Sequence, residues 1–141
     1  MTRRSRAREV VLQILFQDDL NPRVNPAETE RFIHSRLKTE DVVGFAIDLV
    51  RGVRKNRPEL DQRLEQIADN WSLARMAVTD RNVLRLGAFE ILHTDTPQKV
   101  AINEAVELAK RFGTAQSSQF VNGILDRFLA GHGKTTTPPA S

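Results

Sequence analysis

The chain has 141 residues, a net charge of +3 and a hydrophobic share of 40%, which suits one globular domain with a single core. It contains no cysteine, so disulfides and cysteine-held metals are excluded. No apolar run approaches the roughly 20 residues that span a bilayer, and no apolar segment follows the arginines at the start, so no signal peptide is expected and the expected compartment is the cytoplasm. Asn70-Trp71-Ser72 formally matches a glycosylation acceptor; without a secretion signal it is read as chance.

The positive charge is local. Arg3, Arg4, Arg6 and Arg8 fall in the first eight residues with no acid among them, the pattern of an anion-binding arm. The spacing predicts a first helix from Thr2 or Ser5 to about Asp19, burying Ala7, Val11, Ile14 and Leu15, with Val10 and Leu12 toward the edges. Arg4 and Arg8, four apart, share a face near the helix start, where the macrodipole already places positive charge. Either they are a solvated helix start or an anion sits beside them.

Asn21-Pro22 and Asn25-Pro26 break the chain. Pro26 suits the first turn of a second helix running to Lys38, with Phe32, Ile33 and Leu37 inward. Thr39 is read as the N-cap of a third helix, Glu40 to about Lys55, burying Val43, Ala46, Ile47, Val50 and Val53. Gly44 and Gly52 inside it either admit a closely packed neighbour or are weak points. Asn56 to Pro58 is expected to kink or break the chain, with a fourth helix from Pro58 to Ala68 burying Leu60, Leu64 and Ile67. Trp71, beside Leu73 and Met76, is read as a wedge between helical layers, with base stacking as the sharper alternative. Asp80 caps or opens the next helix, which runs to His93. Val83, Leu84, Leu86, Gly87, Phe89, Ile91 and Leu92 make that helix the most apolar, so it is placed at the centre of the bundle.

Two last helices follow a turn at Thr94 to Pro97. Val100, Ala101, Ala105, Leu108, Ala109 and Phe112 form the apolar face of the first. Gly113 ends it by a left-handed cap, and Ser117 or Ser118 caps the second, whose stripe is Phe120, Val121, Ile124, Leu125 and Phe128. Gly131 closes that helix. The reading is an all-α, single-domain bundle of about seven helices over residues 1–131, with a disordered polar tail at 132–141.

The residues offer little to an enzyme. His34, His93 and His132 form no metal-spaced pair. Glu104 and Glu107 are expected on a solvated face, paired with Lys110 and Arg111. Asn103 and Asn122 stand on otherwise apolar helices, where each is expected to tie its helix to a neighbour by a hydrogen bond. Phe120 is either a core plug or a ring available to a base, and its spacing favours the plug.

Four words of the chain, in order, resemble the NusB transcription antitermination family. They are RRSRAREVVLQILF at the N-terminus, NWSLARMAVTDRNVLRLGAFEIL from Asn70 to Leu92, VAINEAVELAKRFG, and FVNGILDRF a short loop later. The resemblance spans about Arg3 to Leu129. It implies a compact helical domain without catalysis or cofactor, binding a boxA RNA element together with NusE, a small-subunit ribosomal protein, in the RNA polymerase antitermination complex of ribosomal RNA operons. It further implies that Arg4, Arg6 and Arg8, with Arg3 as a looser addition, contact RNA phosphates, and that Gln116, Gln119, Phe120 and Asn122 lie along the same RNA surface. Phe16 and Asp80 match positions at or near the NusE-binding face. Relatives often carry tyrosine where this chain has Phe16, so any role of Phe16 is apolar, the lost hydroxyl bond being worth on the order of 1 kcal/mol.

Two other readings compete. RNA cytosine methyltransferases carry an RNA-binding domain of this helical type; with no methyltransferase domain expected after Ser141, the free-standing factor is preferred. A purely structural module is the second alternative, its basic arm serving solubility or protein contact. Both monomer and homodimer fit the sequence.

Overall fold

The computed structural model describes residues 2–68 and 72–132. The wedge expected at Trp71 and all of the expected tail but His132, which lies in the last helix, fall outside the described residues. Six α-helices are seen among those described: α1 Arg3–Leu20, α2 Pro26–Arg36, α3 Glu40–Ile67, α4 Val78–His93, α5 Gln98–Phe112 and α6 Ser117–His132, with a 3-10 turn at Leu73–Arg75. No helix among them is long and apolar enough to cross a membrane.

α1 begins where its cap predicts: the Ser5 amide donates to Thr2 Oγ1 at 3.0 Å, satisfying one of the free amides of the first turn. Its whole expected stripe is buried. α2 is capped by Asn25, whose side chain accepts from the Ala27 amide at 3.0 Å, and it stops short of Lys38 because Leu37 turns inward to the core.

α3 overturns one expectation. It runs unbroken for 28 residues through Pro58, which reduces the expected seven helices to six. An interior proline costs about 3 kcal/mol through its missing amide and ring clash. Pro58 lies on the exposed side, where water can take over the freed carbonyl. Val42, Val43, Ala46, Leu49, Val50 and Val53 before it, and Leu60 and Leu64 after it, are all buried. One helix packed on α1, α2, α4 and α6 keeps that stripe continuous, and the packing outweighs the local cost.

α4 is central, as its composition predicts: it packs against α1, α3, α5 and α6, and every residue from Asn82 to Ile91 is buried. It opens two residues before Asp80, which sits in its first turn and is not the cap. Gly52 of α3 is a point of close approach to α4. A Cβ there would lie 2.0 Å from Phe89 Cζ, whereas one at Gly44 would meet nothing within 4 Å. The two glycines therefore predict opposite signs in chemical denaturation. Gly52→Ala should lose about 1–3 kcal/mol by overpacking, and Gly44→Ala should gain about 0.5–1 kcal/mol of helix propensity.

The α5–α6 joint differs from expectation. Gly113 is extended, at φ −99° and ψ −163°, not left-handed. Glycine is needed there for room: a Cβ would lie 2.4 Å from Ser117 Oγ and 2.8 Å from the Ala109 carbonyl. Ser117 is buried at 1% exposure, and its Oγ accepts from the Thr114 amide at 2.9 Å, which pins the short loop. The ends of the α5 stripe are open, with Val100 and Phe112 42% and 45% exposed.

Candidate nucleic-acid interface

The four arginines of the arm separate into two kinds. Arg3, Arg4 and Arg6 are exposed. The Arg4 guanidinium lies over the Phe45 ring of α3, 4.4 Å from its centroid, a stacked arrangement that limits its motion. Arg3 meets Asp41 at 3.2 Å with both side chains about two-thirds exposed, a pair worth 0–1 kcal/mol and readily exchanged for a stronger anion. Arg6 donates to Glu9 at 3.1 Å.

Arg8 is of the other kind, although it shares the face of Arg4: its guanidinium also lies over the Phe45 ring, 5.1 Å from the centroid. Arg8 is 4% exposed. Its Nε and Nη2 each donate to Glu90 of α4 at 2.8 Å, and its Nη1 to Glu104 of α5 at 3.3 Å. Glu90 also accepts from Thr96 Oγ1 at 3.0 Å, and Glu104 from Ser5 Oγ at 2.7 Å. A carboxylate in the core requires a cation with matching geometry, and a bidentate arginine supplies it. Burial alone would lower the Arg8 pKa; the hydrogen bonds and charges of Glu90 and Glu104 outweigh it, and the pKa stands raised. In this arrangement Arg8 presents nothing to a polyanion and roots the arm.

Glu104 is thus half-buried against Arg8 instead of being paired with Lys110 or Arg111. Glu107 does pair with Lys110, at 3.6 Å, while Arg111 joins Glu9. Glu9 therefore links Arg6 of the arm to Arg111 in the last turn of α5. Beyond that turn lies the α5–α6 joint, where Gln116, Gln119 and Asn122 are exposed and Phe120 is half-buried against the core. The structure brings the arm to the end of α5 through this bridge; among the described residues no hydrogen bond or ion pair joins the arm to Gln116, Gln119 or Asn122. Asn103, like Asn122, faces solvent instead of tying its helix to a neighbour.

Along α1, a groove of about 610 Å³ is lined by Phe16, Val24, Phe32, Thr79 and Phe112, among others. Phe16 is half-buried there. Asp80, next to Thr79, is half-buried, and its Oδ1 is enclosed without a hydrogen-bond partner. A second charged cluster fixes the helix ends that carry Phe16 and Asp80. Asp19 receives Arg57 at 2.6 Å, Arg81 at 2.9 Å, Arg85 at 3.0 Å and Asn82 Nδ2 at 2.6 Å. Arg85 also forks onto Asp61 at 2.7 and 3.0 Å. Burial pushes the Asp19 pKa up, but the bonds from Arg81 and Asn82 and the charges of Arg85 and Arg57 outweigh it, so it is held below its ordinary value of 3.8. Neither this cluster nor the Arg8–Glu90 pair shows in the apolar spacing of the chain. Among the described residues no group of three or more His, Cys, Asp or Glu is placed to hold a metal ion.

Fold and site together define an all-helical protein with an exposed, rooted cationic tip beside an aromatic groove. The NusB family model matches residues 5–130. The transcription antitermination protein NusB of Anaeromyxobacter dehalogenans (strain 2CP-1 / ATCC BAA-258) is 46% identical over 140 residues, covering 99% of this chain and 95% of that protein. That of Myxococcus xanthus (strain DK1622) is 46% identical over 132 residues, covering 90% and 94%. Among solved structures, T. maritima NusB superposes with a TM-score of 0.82 at 37% identity, covering 94% of each chain. A chain from the crystal structure of antitermination factors NusB and NusE in complex with dsRNA superposes with a TM-score of 0.82 at 26% identity, covering 92% of this chain and 98% of that one. The chain belongs to the NusB family.

Proposed function

We propose that this protein is a non-catalytic, cytoplasmic transcription antitermination factor that binds boxA-containing leader RNA jointly with NusE, within the RNA polymerase antitermination complex. The observation that carries this reading is the arm: three exposed arginines on a helix start whose fourth arginine is locked to Glu90. Rigid cations lose little freedom on meeting a polyanion, so more of the contact energy remains as affinity. Arg4 and Arg6, with Arg3 after it leaves Asp41, take RNA phosphates. Gln116, Gln119 and Asn122 offer amide groups to base edges, and the half-buried Phe120 ring lends an aromatic edge. Phe16 and Asp80 contribute to NusE binding along the aromatic groove, Phe16 by apolar packing. Similarity to a family member crystallised with NusE and dsRNA supports the partner assignment.

Titration of a boxA oligoribonucleotide at several salt concentrations tests the reading. Arg4→Ala with Arg6→Ala should flatten the log–log salt dependence by about 1.4, two phosphates at roughly 0.7 each for a single strand. Wild-type protein should bind more tightly with NusE present than alone. An unchanged slope in the double variant, or equal affinity with and without NusE, would count against it.

A further inference from the structure

A concavity of about 340 Å³ lies between the first turn of α1 and the α2–α3 joint, and its lining includes Thr2, Arg3, Arg6, Arg36, Lys38 and Thr39. We propose that this cleft is a second phosphate seat for the same RNA strand, with Arg36 and Lys38 as RNA-contacting residues. The inference rests on the RNA-binding reading and extends it to cations outside the arm.

Arg36 and Lys38 at the end of α2 are by themselves ordinary, because cations favour a helix C-terminus. What is not ordinary is their convergence with Arg3 and Arg6, which come from a separate helix. No carboxylate is among the residues that line the cleft. Four like charges around one concavity focus a positive potential that an anion relieves. Of the neighbouring acids, Asp41 holds Arg3 only through an exposed pair, and Glu9, which holds Arg6, is shared with Arg111.

The cations rest on a fixed floor. Leu37 and Val42, which also line the cleft, are buried in the core at 6% and 5% exposure, and the Arg36 guanidinium lies over the Phe32 ring at 4.9 Å. Thr39 precedes α3 without giving it a side-chain cap bond, which leaves its hydroxyl available. Two continuities favour a nucleic-acid strand over an acidic peptide. Arg3 and Arg6 belong to the same arm as Arg4, so phosphates gripped by the arm lead into the cleft. Arg36 also lines the aromatic groove, so the strand leaves the cleft toward the flank assigned to NusE.

The test uses the full chain, a labelled single-stranded boxA oligoribonucleotide and a salt series, comparing Arg36→Ala/Lys38→Ala, Arg36→Lys/Lys38→Arg and Arg4→Ala/Arg6→Ala. The cleft variant should flatten the salt slope by about 1.4 and weaken binding about 25-fold at 0.1 M salt relative to a 1 M reference. The charge-conserving variant should restore the slope. Both cleft variants should stay folded, with melting temperatures close to that of the wild type, since the two side chains are exposed and the alanine variant loses only the Arg36–Phe32 contact. If the arm variant loses slope and the cleft variant does not, the cleft assignment is overturned and the RNA reading stands. If neither loses slope, both fall. If the cleft variant loses binding to a polyglutamate peptide but retains RNA binding, the cleft belongs to an acidic protein and the proposal is overturned.

Discussion

Replacing Arg8 with alanine is expected to cost about 3–5 kcal/mol, because it strips a buried carboxylate of its partner. Glu90 is 1% exposed and takes both oxygens' principal bonds from the Arg8 fork; Thr96 alone cannot offset its charge. The loss should lower the melting temperature on the order of 10 °C. Arg4→Ala, on an exposed side chain, should stay within about 1 kcal/mol, and Arg6→Ala should cost less than Arg8→Ala, because the buried Glu9 keeps Arg111 as its partner. Replacing both partners with apolar residues, Arg8→Met with Glu90→Leu, should recover most of the loss, because the penalty lies in the orphaned charge more than in the absence of the pair. Equal effects of Arg8→Ala and Arg4→Ala in urea denaturation would show that the root is not where the stability resides. The comparison also separates the two kinds of arginine, since the exposed ones should alter RNA affinity at nearly constant stability.

The second large effect is at Asp19, and it depends on pH. Asp19→Asn removes one charge facing three arginines and should cost about 3 kcal/mol at neutral pH. The folded-state pKa of Asp19 is depressed below 3.8, so the native state favours the ionised form more than the unfolded chain does. That contribution is fully present above the unfolded value and is lost as pH falls through the lower folded value. The gap between wild type and Asp19→Asn should therefore be constant from about pH 7 to pH 5 and close below about pH 4, with the wild type falling more steeply. A gap that persists unchanged at the acid end would show that Asp19 acts by shape or hydrogen bonding and not by charge.

The helical class, the centrality of α4 and the buried stripes of α1 and α6 were legible in the sequence, because apolar spacing alone decides them. Three features were not, each for its own reason. Pro58 carries a strong local signal to break a helix, and only the packing partners of α3, distant in the chain, outweigh it. A glycine at the end of α5 predicts a left-handed cap; the true constraint on Gly113, the Ser117 side chain, lies four residues on and depends on how the loop folds back. The spacing groups Arg8 with Arg4, because arginines four apart share a face. One helical turn, however, takes that face from solvent into the core. The available signal was Glu90, a charge within the apolar run Leu86 to Leu92, since a buried acid implies a buried cation somewhere. Which arginine answers it is tertiary information. The same holds for Asp19, whose partners Arg81 and Arg85 stand 62 and 66 positions away.

Those separations govern how the protein is made. Arg8 meets Glu90 across 82 positions, so α1 cannot complete its burial until the middle of α4 has been translated and has cleared the exit tunnel. Until then, the nascent segment carries a greasy face and unmatched charges together. The charges favour solvation of that segment while it waits, and Arg8 takes its partner only when Glu90 of α4 arrives.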